Sequence, residues 1–303
     1  MFVCEMQTIK DYFVPEFADR VQQIGAFEEI LRGRLKRTAI LIRGEAEIGK
    51  SFLLNQFWYM AHGELISRLD FRDGEVHTFL SIIQSAIEDL GRRAFAATIA
   101  AIQKITQETR HDITIRSEAL HDSDSSGATV SIKGKTVEIA GDVVGRDLYR
   151  NTVFLPPTEN LHQRQALQQE ISSIFFDDLR AASRDRRIVL SYDSFESAPE
   201  EAQQWLTGLL LDEIARGRLR QVIVIIAGRA IPNVSNMLVP YSAVTELRGF
   251  DPESAMEYLI ERRGLSEEHV QKIYAETGGH PKLLAEKANF AGGKHLQYQI
   301  MVI

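Results

Sequence analysis

The sequence predicts an α/β fold: a parallel sheet flanked by helices, interrupted by an insertion that contains a β-hairpin, and followed by a small C-terminal helical domain. Three observations lead there. The runs Ala39–Ile42, Ile188–Leu190 and Val222–Ala227 are apolar throughout, as strands are when helices cover both faces of their sheet. Segments with helical spacing alternate with them, which is the pattern of a parallel α/β sheet. After the last strand, Asp251 and Pro252 supply an N-cap and a first helical residue, and the chain reads as helix to Asn289.

In chain order, residues 1–38 form a lead-in and a helix, with Val21, Ile24, Phe27, Ile30 and Leu31 on one face. The core spans 39–250. It opens with a strand at 39–43 and a helix from Lys50 to about His62, then a strand at 65–71 and a helix from Val76 to Leu90. Phe79, Leu80, Ile83, Ile87 and Leu90 share one face of that second helix. A further helical piece covers about 93–108. The insertion, about 109–157, has a polar front, Asp122–Gly127, and two alternating runs, Ala128–Lys133 and Thr136–Ala140, which predict the hairpin. A glycine-aspartate stretch, Gly141–Asp147, follows them. A helix from Glu159 to about Ser183 leads to the strand 188–193, and one from Pro199 to Arg216 leads to 222–227. A short strand, Val244–Leu247, ends the core; the helical domain is 251–290, and 291–303 is a tail whose end, Tyr298–Ile303, suits an edge strand or core packing.

Composition narrows the class of function. Of 303 residues, 44% are hydrophobic and 25% charged, which suits a globular protein with a sizeable core. A net charge of −7 disfavours bulk binding to nucleic acid or an anionic membrane. Cys4 is the one cysteine, so no internal disulfide forms. No run approaches the ~20 apolar residues of a membrane span, and Glu5 and Asp11 do not suit a signal peptide. The expected location is cytoplasmic.

Between the first strand and its helix lies Gly44-Glu45-Ala46-Glu47-Ile48-Gly49-Lys50-Ser51, followed by Phe52. This fits the phosphate-binding loop G-x-x-x-x-G-K-[ST], in the strand-to-helix context that loop requires. Glycines let backbone N–H groups close around phosphate oxygens, and the helix N-terminus adds a dipole that favours anions. In this reading Gly44 to Phe52 bind nucleotide, Lys50 neutralises the β- and γ-phosphates, and Ser51 offers its hydroxyl to Mg²⁺. The expected ligands are ATP or ADP with Mg²⁺.

Ligands of open α/β sheets bind at the carboxyl ends of the strands, so the residues there are the next candidates. Asp193 closes a buried strand, where a carboxylate for Mg²⁺ belongs. Glu196 is placed to orient or deprotonate water, or else serves as favourable charge at a helix start. Ser194 occupies the position directly after Asp193, and slow hydrolysis follows as an expectation. Arg229 follows the strand 222–227 and can set a guanidinium over the terminal phosphate. Three basic clusters, at Arg32–Arg37, Arg180–Arg187 and Arg216–Arg220, each precede a core strand and so meet at the opposite edge of the sheet. They read as complements to helix C-termini or as a docking surface for an acidic partner or nucleic acid.

On these residues, together with Phe17-Ala18-Asp19-Arg20 and Thr277-Gly278-Gly279-His280-Pro281-Lys282, the chain resembles the STAND branch of the AAA-like P-loop ATPases, the group that includes NACHT and NB-ARC proteins. The first stretch is similar to an F-x-G-R motif near the adenine, with Asp19 in place of glycine; the second is similar to a G-x-P motif whose proline touches the base. The resemblance implies that Arg20, Gly279 and Pro281 join the nucleotide site, that Asp193 is the Walker B acid, and that Arg229 is a sensor. It also implies a switch with nucleotide-controlled assembly, in signalling or bacterial antiphage defence. Its partners would be copies of itself or separate effector and sensor proteins, with no membrane. The alternative is an AAA-like ATPase acting on DNA as motor or loader; a scaffold that binds nucleotide without hydrolysis is a third reading.

Overall fold

The computed structural model describes residues 20–73, 78–110, 128–132, 135–139 and 161–292. The expectations for Phe17–Asp19, Gly141–Asp147, the front of the insertion and the tail lie outside them. Helix α1 (Val21–Leu31) leads into β1 (Ala39–Gly44), and α2 (Lys50–Met60) follows the phosphate loop. After β2 (Leu65–Asp70) comes α3 (Phe79–Leu90), which starts at Phe79 because Thr78 caps it, its Oγ1 accepting from Ser81 N at 3.2 Å. A 3₁₀ turn, Arg92–Phe95, opens α4 (Ala96–Arg110). Strands β3 (Ala128–Ile132) and β4 (Lys135–Ile139) pair antiparallel with Val130 opposite Val137, the hairpin that the alternation predicts.

Helix α5 (Leu161–Ala182) precedes β5 (Ile188–Asp193). Where the sequence predicts one uniform helix, α6 (Glu200–Trp205) and α7 (Leu211–Ala215) are joined by a π turn, Leu206–Leu210. Then come β6 (Val222–Gly228) and β7 (Ser242–Leu247), the latter starting earlier than Val244.

The sheet runs in the order β2-β5-β6-β1-β7 with every neighbouring pair parallel. All five carboxyl ends therefore share one edge, and β6 separates the strand of the phosphate loop from the strand ending in Asp193. The apolar runs are explained by burial on both faces: Leu41, Leu190 and Val224 enter one core, Ile42, Val189 and Ile225 the other.

Beyond β7, α8 (Pro252–Met256) continues into a π turn, Glu257–Arg262, followed by α9 (Glu267–Thr277) and α10 (Pro281–Phe290). These helices bury a cluster of their own around Leu259, Val270 and Leu284. Asp251 caps them as the sequence predicts, its Oδ1 accepting from Ser254 N at 2.7 Å. That bond holds the Asp251 carboxyl below its ordinary range. A depressed carboxylate stabilises the fold above its unfolded value and loses that contribution as pH falls through the folded one. Asp251→Ala is therefore expected to lower stability by about 1 kcal/mol near pH 7. In pH-resolved thermal denaturation the difference from wild type should shrink below about pH 4; a difference that does not change with pH refutes the cap.

The basic clusters at the far edge are largely engaged. Arg32 pairs with Glu28, Arg34 with Glu29, Arg180 with Asp177, and Arg216 and Arg218 with Glu213. Arg186 donates to the Gly63 and Glu64 carbonyls.

Candidate functional site

The phosphate loop turns through two left-handed residues, Glu47 at φ 60° and Gly49 at φ 96°, before α2 begins. Gly49 suits that conformation, since it has no Cβ to clash. No side chain caps α2, so its first N–H groups face the space above the loop. Gly44 is fixed by packing: a Cβ there would lie 2.7 Å from Ile48 Cγ2 and 3.2 Å from the Leu247 carbonyl.

Lys50 is only 9% exposed, and its Nζ donates to the Gly44 and Glu45 carbonyls at 2.9 and 2.6 Å. Burial pushes its ammonium below the ordinary lysine range, against the opposing pull of Glu196 and Asp193. Beside it, Ser51 Oγ donates to Asp193 Oδ2 at 2.6 Å, while Asp193 Oδ1 accepts from Ser194 N at 2.8 Å. Two hard oxygens from two elements thus converge at the foot of α2. That donor set fits Mg²⁺, which takes few protein oxygens and completes its shell from water and substrate phosphates.

Glu196 and Arg229 meet each other. Arg229 donates from its backbone N to Glu196 Oε2 and from Nε to Oε1, both at 2.8 Å. Burial raises the Glu196 carboxyl, but these bonds outweigh it and leave the group below its usual range. A carboxylate so held is a weak proton acceptor and a good anchor for an arginine. The approach needs Gly228, where a Cβ would sit 2.5 Å from Glu196 Oε2 and from the Ala230 carbonyl.

At the other end, buried Arg20 donates through Nη2 to the Ile48 carbonyl at 3.2 Å and the Arg248 carbonyl at 2.7 Å, with its guanidinium 5.5 Å from the Phe250 ring centroid. It ties the phosphate loop to the segment entering the C-terminal helices. Those helices also touch the loop: His280 Nε2 lies 3.2 Å from the Ala46 carbonyl, and Lys282 Nζ lies 2.5 Å from Glu47 Oε1. The ion pair holds the Lys282 ammonium above its ordinary range.

A cavity of about 700 Å³ lies between sheet edge and C-terminal helices. Its wall contains Arg20, Ala46 to Phe52, Asp193, Glu196, Arg229 and Pro281. Gly44, Glu45 and Gly279 are not on the wall. Gly44 and Glu45 present their carbonyls to Lys50, and Gly279 is closed against the backbone of Phe250. The wall also holds residues that sequence reasoning missed, notably Arg72, Phe250, Tyr258 and Asn289. Arg72 follows the end of β2, so the rule of carboxyl ends points to it once the strand is placed. The aromatic pair carries no local signal, because it depends on how the C-terminal helices fold back.

No family model matches the chain, and no curated protein matches it. Among solved structures it is similar to a STAND protein with a tetratricopeptide repeat sensor, PH0952 from Pyrococcus horikoshii, at 14% identity and TM-score 0.48, over 90% of this chain and 30% of that one. It is also similar to Cdc6p from Pyrobaculum aerophilum, at 12% identity and TM-score 0.46, over 91% of this chain and 63% of that one. A third is AMPPCP-bound DnaA from Aquifex aeolicus, at 13% identity and TM-score 0.41, over 89% and 58%. The chain thus spans about a third of the first and about three fifths of the other two.

Proposed function

We propose that the chain is a Mg²⁺-dependent ATP-binding switch of STAND type that hydrolyses slowly and whose C-terminal helices close on the nucleotide. One observation carries the reading: the crest of the phosphate loop is held by those helices, through His280 on Ala46 and Lys282 on Glu47. Any ligand that fills the loop must act on contacts that also position α10. A ligand shifts such an equilibrium by its differential affinity for the two arrangements, and these contacts supply the difference.

Lys50 meets the phosphates, and Ser51 and Asp193 hold the metal, which when bound neutralises phosphate charge. Arg20, Phe250, Tyr258 and Pro281 line the end left for the base. Slow turnover is supported by Ser194 directly after Asp193 and by the engagement of both Glu196 oxygens with Arg229. In this reading Glu196 is a positioning residue for Arg229. The biological setting we favour is nucleotide-controlled assembly in cytoplasmic signalling or antiphage defence, with copies of the chain or separate effector and sensor proteins as partners.

The test is hydrogen exchange over 279–290 together with mass by light scattering, without nucleotide, with ADP, and with the β,γ-imido analogue of ATP. The analogue is expected to change protection of α10 and to drive assembly, and ADP to do neither fully. Nucleotide binding with unchanged exchange and mass in every state would sink the switch.

A further inference from the structure

Arg72 has no part in the reading above, yet it stands on the same cavity wall as Lys50 and Arg229. The register explains its place. Asp70 lies opposite Asp193 in the β2–β5 ladder, so the residue two beyond Asp70 emerges beside the proposed metal carboxylate. Its electrostatic reach confirms the neighbourhood: Arg72 helps to depress the Lys50 ammonium, and Asp193 acts on Arg72 in turn.

The way Arg72 is held repeats the way Arg229 is held. Arg229 gives its backbone N and its Nε to one carboxylate, Glu196. Arg72 gives its backbone N to Asp70 Oδ1 at 3.1 Å, its Nε to both oxygens at 3.2 and 3.3 Å, and its Nη2 to Oδ2 at 2.7 Å. A guanidinium carries five N–H donors in a planar fork. Asp70 takes the Nε–Nη2 edge, and among the described residues Nη1 makes no hydrogen bond. The end-on edge, Nη1 with the second Nη2 proton, is thereby fixed in direction and left for another acceptor. The side chain is 61% exposed and lines the cavity.

We propose that Arg72 is a second arginine for the terminal phosphate of a bound nucleoside triphosphate, aimed by Asp70 and working from the β2 side while Arg229 works from the β6 side. The proposal rests on the nucleotide reading of the site. Its chemistry is the bidentate pairing of a guanidinium with phosphate oxygens, which a lysine at the same position cannot reproduce. Arg72 would then distinguish triphosphate from diphosphate, because only the former extends past Lys50 to the strand ends.

The experiment is calorimetric titration of ADP and of the β,γ-imido analogue, each with Mg²⁺, into wild type, Arg72→Ala, Arg72→Lys and the double variant Asp70→Asn/Arg72→Ala. Thermal denaturation of each verifies folding. Arg72→Ala is expected to weaken the analogue about tenfold to a hundredfold, the loss of a charged hydrogen-bonded pair, and to change ADP by less than about threefold. Arg72→Lys should recover only part of the analogue's affinity. The double variant separates direct contact from mere neutralisation of Asp70: analogue binding that stays weak supports the contact, and recovery toward wild type overturns it. Equal losses for both nucleotides, or none, also overturn it. Wild type that binds neither nucleotide refutes the nucleotide reading itself, a distinct failure visible before any variant is compared.

Discussion

Lys50→Ala is expected to abolish measurable nucleotide binding, a loss of at least about a hundredfold, while leaving the ligand-free protein as stable as wild type or more so. Both halves follow from how the ammonium is held. It is nearly buried, and its only hydrogen-bond acceptors among the described residues are two neutral carbonyls of the loop, Gly44 and Glu45. Burial depresses its protonation, although Glu196 and Asp193 pull the other way and Arg229 and Arg72 add to the depression. A lysine whose folded value lies below its unfolded one costs stability at neutral pH, and that cost disappears as pH rises past the unfolded value, about 10.4. The chain thus keeps a partly desolvated charge, held by two neutral carbonyls, that an arriving anion would stabilise further. Thermal denaturation checks this directly. At a ligand concentration about 100 times the wild-type Kd, wild type should gain about 2.7 kcal/mol, and the variant about 0.4 kcal/mol or less. Undiminished ligand-induced stabilisation in Lys50→Ala would reduce the loop to a structural turn.

The sheet is readable, and the phosphate end of the site can be proposed, because each is written locally. Doubly buried strands are continuous apolar runs, and the order of glycines, Lys50 and Ser51 fits the phosphate-loop pattern. Asp193 is proposed on the same ground: it is a carboxylate at the end of an otherwise buried strand. The rest depends on distance in sequence. That Glu196 and Arg229 engage each other is fixed by the adjacency of β5 and β6 and by the missing side chain at Gly228, none of which spacing reveals. Arg72 required the register of β2 on β5. Phe250, Tyr258 and Asn289 reach the cavity only because the C-terminal helices fold back over the loop. The two π turns, Leu206–Leu210 and Glu257–Arg262, insert into helices whose composition reads as ordinary, and so left no trace in the pattern.

Gly279→Ala is expected to release the C-terminal helices from the sheet, whereas Gly278→Ala one position earlier should be mild. The two glycines share a left-handed backbone, φ 57° at Gly278 and 79° at Gly279, so strain alone, about 1–2 kcal/mol, would not separate them. Their surroundings do. A Cβ on Gly278 meets nothing within 4 Å, but one on Gly279 would lie 2.1 Å from the Phe250 carbonyl oxygen and 3.1 Å from its backbone N and C. Those are main-chain atoms on both sides, and no rotamer relieves the overlap. Phe250 N donates to the Gly279 carbonyl at 2.8 Å, and Gly249 tolerates no Cβ because the Gly278 carbonyl lies 2.8 Å away, so the two segments clasp backbone to backbone. Opening that clasp moves Phe250 from under Arg20, and with it Pro281 and the His280 and Lys282 contacts to the phosphate loop. The cost should exceed about 3 kcal/mol and fall on 250–290, leaving the sheet to unfold at a higher temperature. Limited proteolysis and nucleotide titration together check it: cleavage within 250–290 and lost affinity in Gly279→Ala, with near-normal behaviour in Gly278→Ala. Equal effects from both substitutions would mean that left-handed strain, not the clasp, sets the position of these helices.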